Sequence, residues 1–141
     1  MSVGEQELDI LLASMNPTIH PDTFVFVTLP GSEKTAPPSL QPQLMVFQEA
    51  EGLTVITSKP AAEKMGLDYA FPCRMITLNI HSSLNAVGFL ARILDTLKNL
   101  GIGVNPVSGF FHDHLFVPIN KENLVLEALR DMSQEAKVNQ L

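Results

Sequence analysis

The clearest hydrophobic pattern lies in the second half of the chain. From Arg74 to Ile80, Ile76, Leu78 and Ile80 alternate with Met75, Thr77 and Asn79, which predicts a strand with one apolar side. His81-Ser82-Ser83 follows. From Leu84 to Leu100 the apolar residues Val87, Leu90, Ala91, Ile93, Leu94, Leu97 and Leu100 recur at spacings of three and four, opposite Asn85, Arg92, Asp95, Thr96 and Asn99. This spacing predicts a helix over 84–100, capped by a serine, with Lys98 complementing the dipole in its last turn and Gly101 as a left-handed stop. Residues 102–108 and 114–119 read as strands joined through Gly109-Phe110-Phe111-His112-Asp113. Asn120 is expected to cap a second helix with Leu124, Val125, Ala128, Leu129 and Met132 on its buried stripe. The order β-α-β-β-α is the ferredoxin-like split β-α-β unit short of its last strand, which residues 137–141 are expected to supply.

In the first half, Leu8, Leu11, Leu12 and Met15 fall at helical spacing, Ser2 with Glu5 has the form of a capping box, and Pro17 ends the helix. Residues 24–29 form an apolar run rich in β-formers, and 44–50 and 53–57 flank Glu51-Gly52 as the strands of a hairpin. A short helix over 59–65, opened around Pro60, is stopped by Gly66. The resulting α-β-β-β-α is the same element set begun one strand late, the mark of a degenerate internal duplication. Between them, residues 30–43 have four prolines and no periodicity, and read as a disordered excursion first and a lid second, with Leu40 as the one residue able to anchor them.

Composition sharpens the division. Residues 1–72 hold nine acids, three bases and eight of the ten prolines, whereas residues 73–141 balance six acids against six bases. Two units are expected, 1–70 and 71–141, each small enough to need its neighbour. At 45% apolar and 17% charged residues the chain is globular, not disordered. A net charge of −6 opposes binding to phosphate backbones or anionic lipid, so neither nucleic acid nor membrane is an expected partner. The lone Cys73 makes no internal disulfide and suits a reducing compartment. The acidic amino terminus is the opposite of a signal peptide, and no apolar run reaches the ~20 residues of a membrane span. A cytoplasmic location is expected.

The strand 75–80, the loop His81-Ser82-Ser83, the helix opening Leu84-Asn85-Ala86-Val87-Gly88-Phe89-Leu90-Ala91-Arg92-Ile93 and the segment Gly101-Ile102-Gly103-Val104-Asn105 together resemble an ACT domain. The stretch Val107 to Pro118 is similar to small bacterial proteins made of two ACT-like halves, akin to the ACT pairs of aspartate kinases. The match covers about residues 73–134; the first half follows as a degenerate unit, through its element order and Phe47-Gln48-Glu49-Ala50-Glu51-Gly52. Many metabolite-binding members carry an Asp and a Pro-Gly in the strand-to-helix loop, where this chain has His81, Ser82 and Ser83. The resemblance implies an α+β fold of two ferredoxin-like units with antiparallel sheets and helices on one face. It also implies a non-catalytic regulatory protein that binds an amino acid, with a ligand-free interaction module in the same fold as the other reading.

The site implied by the resemblance is the loop and first helical turn, where unpaired N–H groups and the helix dipole suit a carboxylate. Ser82, Ser83, Asn85, Ala86 and Val87 are the candidate ligand-binding residues, with Asn105 on the adjacent strand, and free backbone carbonyls or an acid of the first unit, Glu49 or Glu51, as acceptors for an ammonium group. Gly88 would let a neighbour approach closely. No cofactor and no metal is expected: His112-x-His114 needs a third ligand, for which only His81, Asp113 or a distant carboxylate is on offer, and Asp113 reads as a turn residue. No nucleophile elbow, phosphate loop or paired-carboxylate pattern is present, so no catalytic residue is assigned, and Cys73 reads as a small buried hydrophobe. The Gly109-Phe110-Phe111 run lacks the basic residue that an RNA-recognition strand needs, and the 74–80 strand has no aromatic for base stacking. Unpaired strand edges in such small units predict a homodimer, with pairing between the two units as the alternative and a protein partner as a further possibility.

Overall fold

The computed structural model describes residues 3–141, with side chains described from Glu7 onward. The capping box at Ser2 and Glu5 lies outside the described residues. The elements in chain order are α1 (Val3–Ser14), β1 (Thr18–Ile19), β2 (Phe24–Pro30), β3 (Met45–Gln48), β4 (Gly52–Ser58), α2 (Lys59–Lys64), β5 (Ala70–Leu78), α3 (Phe89–Lys98), β6 (Asn105–Ser108), β7 (Asp113–Pro118) and α4 (Glu122–Val138). Contacts divide them into two compact units: Pro21–Arg74, and the chain up to His20 together with Met75–Leu141. This differs from two contiguous halves meeting near residue 70. The strand β5 runs across the boundary.

In the Pro21–Arg74 unit the strand order is β3-β4-β2 and then the start of β5. β2 and β4 pair antiparallel in unbroken register from Phe24↔Ser58 to Pro30↔Gly52. That register brings the Gly52 backbone so close to β2 that a Cβ there would lie 2.6 Å from the Leu29 carbonyl oxygen, which explains the glycine. Val25, Val27 and Leu29 project to the same face as Leu53, Val55 and Ala62 of α2 and form one buried cluster. The Ser58 hydroxyl caps α2 by accepting from the Ala61 N–H at 3.2 Å, and Gly66 at φ 65° ends it as expected. Cys73 is fully buried, its thiol donates to the Phe24 carbonyl at 3.3 Å, and burial pushes it up to about 12. It therefore carries no nucleophilic thiolate at neutral pH.

The proline-rich segment 30–43 corrects the expectation of disorder. Leu40 is completely buried in the same cluster, Ala36 packs beside it, and the Pro37 carbonyl accepts from both the Leu40 N–H and the Gln43 side chain. The anchor seen in the sequence suffices because the prolines have already removed much of the backbone freedom that ordering must cost.

In the other unit the strand order is β1-β5-β7-β6. Ile76 and Leu78 of β5 and Leu115 and Val117 of β7 are fully buried on one face, and α1, α3 and α4 cover them. Residues 137–141 do not form the missing strand. α4 continues to Val138, because Ser133 and Ala136 extend its buried stripe and the Ser133 hydroxyl donates to the Ala13 carbonyl of α1 at 2.9 Å. The strand position is taken instead by β1, which pairs antiparallel with β5 through Thr18↔Thr77 and Ile19↔Ile76. Two smaller expectations also fail. Leu124 is exposed, one residue off the stripe, and Lys121, with Asn120 at φ 73° before it, precedes α4 without a side-chain cap.

Truncating Leu40 to alanine should cost about 2–5 kcal/mol, the usual loss for a buried leucine. Chemical denaturation measures it, and a cost below about 0.5 kcal/mol, typical of a surface change, would mean that the segment is loose after all.

Candidate functional site

The end of β5 is fixed by Asn79, whose amide donates to the Asn16 carbonyl at 2.9 Å and to the Thr18 hydroxyl at 2.8 Å. The chain then turns instead of entering a helix. The Ser83 hydroxyl accepts from the Asn85 N–H at 3.0 Å, and the Ser83 carbonyl accepts from the Ala86 N–H at 2.8 Å. Gly88 adopts φ 92°, a left-handed conformation that only glycine takes without strain, and α3 starts at Phe89. The expected helix start at Leu84 is thus one turn too early. The serine caps a turn, and the N–H groups of Phe89, Leu90 and Ala91 form the open helix start, ahead of the first helical bond from Arg92 N–H to the Gly88 carbonyl.

A cavity of about 230 Å³ sits at this junction. Its polar wall is Ser82, Ser83, Ser108 and Asp113, and its apolar wall is Leu84, Ala86, Phe89 and Leu90. Asp113 is 8% exposed and accepts a hydrogen bond from the Ser82 hydroxyl at 3.2 Å. Asp113 opens β7 opposite Ser108 and shares the strand face of the buried Leu115 and Val117. An acid at that phase of the alternation was the available sequence signal, missed because Asp113 was taken as a turn residue.

Of the candidate residues, Ser82, Ser83 and Ala86 line the cavity. Asn85 and Val87 are exposed outside the lining, Val87 at 94%, because the delayed helix start turns both outward. Asn105 is exposed at the far end of β6, three residues before Ser108 and so about 10 Å away at strand spacing. Glu49 and Glu51 lie at the β3–β4 turn, where Glu49 accepts from the Thr54 hydroxyl, and belong to the other unit.

On the opposite side of β7, the His114 ring nitrogen Nδ1 lies 2.9 Å from the Thr77 hydroxyl. Burial holds its pKa below the ordinary 6.5, the charge of His112 adds to this, and Asp113 works against it. Among the described residues no three His, Cys, Asp or Glu side chains gather to hold a metal ion. His81, Phe110 and Phe111 form a ring cluster on the two loops that also carry Ser82 and Ser108, with centroids 5.0 Å apart for the two phenylalanines and 5.9 and 6.4 Å from His81 to Phe111 and Phe110.

The repeated mixed α/β unit, with antiparallel pairing and a small cavity between a strand end and a helix start, defines a tandem ferredoxin-like module. Two family models described as ACT domain match the chain, one over residues 3–74 and the other over residues 70–131, and the chain belongs to that family of regulatory domains, which commonly bind amino acids. A Vibrio cholerae protein of unknown function, described as a possible transport protein, is 34% identical over 92% of this chain and 98% of its own, with a TM-score of 0.82. An Agrobacterium tumefaciens protein is 18% identical, covering 83% of this chain and 87% of its own at a TM-score of 0.69, and shows the shared fold. The regulatory subunit of aspartate kinase from Thermus flavus shares the fold at 7% identity, 82% and 95% coverage and a TM-score of 0.55. No curated protein sequence matches the chain. Among the described residues no helix is long and apolar enough to cross a membrane.

Because the folded protein disfavours charged His114, its stability should be full above pH 6.5 and fall as pH drops below that value. Thermal melts between pH 8 and 5 should show this loss, and His114→Gln should flatten the profile. An unchanged slope in the variant would assign the pH dependence to other groups.

Proposed function

We propose that the chain is a non-catalytic sensor that binds one small α-amino acid in the Ser82–Asp113 cavity and passes the binding energy to a partner or to its own dimer interface. The observation that carries this reading is Asp113, a nearly buried carboxylate on the cavity wall that accepts from the Ser82 hydroxyl. An ammonium group fits that acceptor. The open N–H groups of Phe89 and Leu90, with the Ser83 hydroxyl, suit the carboxylate at the other end. Asp113 takes the place that Glu49 and Glu51 were expected to fill, Asn85 and Val87 become rim residues, and Asn105 has no part. The volume supports the ligand class: about 230 Å³ is roughly eight times the ~30 Å³ share of a liquid water molecule, below the ~300 Å³ at which drug-sized pockets begin.

The sequence repeats 1–70 and 71–141 remain our reading of descent, although packing regroups their elements. The exposed edges β3 and β6 each have one strand neighbour among the described residues, and we assign a homodimer to their pairing. Sedimentation at roughly tens of micromolar should report twice the chain mass; a strict monomer would refute the dimer. The buried, unpaired Cys73 suits the reducing cytoplasm.

A thermal-shift screen of the common amino acids tests the sensor reading. A ligand at 100 times its dissociation constant should add about 2.7 kcal/mol of stability. Asp113→Asn, which keeps the shape and removes the charge, should fold and lose the shift. Flat curves for every amino acid with the unaltered protein would favour the ligand-free interaction module instead.

A further inference from the structure

We propose that the ring cluster His81–Phe110–Phe111, with Leu84, is the side-chain subsite of this cavity and selects an amino acid with an apolar side chain. This inference rests on the ligand class proposed above. Phe110 and Phe111 are 70% and 63% exposed, yet they meet edge to face and both lie tilted against His81. They stand at the corner between β6 and β7, closed by the Gly109 N–H donating to the His112 carbonyl at 2.9 Å. Turn corners favour Gly, Asn, Asp, Ser and Pro for backbone reasons. Two adjacent phenylalanines serve neither the turn nor the core, so a contact outside the folded chain accounts for them.

The cluster flanks the cavity in sequence on both of its loops. His81 precedes Ser82 of its polar wall, Ser108 of the same wall leads into the aromatic corner, and Leu84 of the apolar wall is itself 67% exposed. Residues 81–88 and 108–112 contain no Lys, Arg, Asp or Glu, and Asp113 is the one acid in the lining. With Asp113 committed to the ammonium group, a charged ligand side chain would meet no counter-charge on these loops and would lose hydration without compensation. An apolar side chain would instead cover the exposed rings.

The test is calorimetric titration of the full chain with leucine, phenylalanine, serine, aspartate and lysine, repeated on a Phe110→Ser/Phe111→Ser double variant whose melting temperature is checked first. Because both rings are exposed, the variant should melt close to the parent. Leucine or phenylalanine should bind at least about tenfold more tightly than serine, aspartate and lysine should bind more weakly still, and the double variant should lose about tenfold for the apolar ligands alone. A preference for serine or a charged amino acid, or an equal loss for leucine and serine, would overturn the subsite while leaving the cavity reading intact. Absence of binding by any amino acid would overturn both.

Discussion

The structure depends on covering one apolar surface. Ile76, Leu78, Leu115 and Val117 present a face with no exposed area along β5 and β7, and hydrophobic burial at about 25 cal/mol per Å² makes leaving it wet untenable. α3 and α4 come from the same half of the chain. The third cover, α1, comes from the other end, bringing Leu12 and Met15 into the cluster. Once α1 is docked against α4, the short connection through Pro17 delivers Thr18 and Ile19 to the free side of β5. One requirement thus settles the helix packing, the edge strand and the division of the chain into interleaved units.

The cavity follows from the same frame through one local exception. α3 must press Phe89, Ile93 and Leu97 onto the strand face, and its axis is set by that packing. Gly88 at φ 92° lets the chain arrive at that axis from a turn. Residues 82–87 are thereby held off the strand ends as a wall, with free helix N–H groups on one side and Asp113 on the other. Asp113 stands on the polar wall, where the Ser82 hydroxyl donates to it.

What the sequence revealed and what it hid have physical reasons. Alternation at 75–80, the apolar stripe of α3, the Pro60 opening and Gly66 stop of α2, and the burial of Cys73 depend on local chemistry and were legible. Three features were not. The periodicity of 84–100 runs through Val87 as if the helix did too, and only the backbone angle of Gly88 shows otherwise. Ser133 and Ala136 are too small or too polar to count as a hydrophobic stripe, so the length of α4 was hidden and the tail was read as a strand. Leu40 was recognised as an anchor, but its burial depends on a surface formed by strands on either side of it in sequence. The site was half legible: its serines follow from the loop, whereas Asp113 emerges only when its strand phase is aligned with Leu115 and Val117.

In the function proposed above, an amino acid bridges the start of α3 and Asp113. Backbone amide resonances followed by NMR during titration with leucine test this most directly. Saturable shifts should concentrate at Ser83, Phe89, Leu90, Ser108 and Asp113, with the Glu49–Glu51 turn unmoved. Saturable shifts confined to that turn, or to any surface away from the cavity, would contradict it.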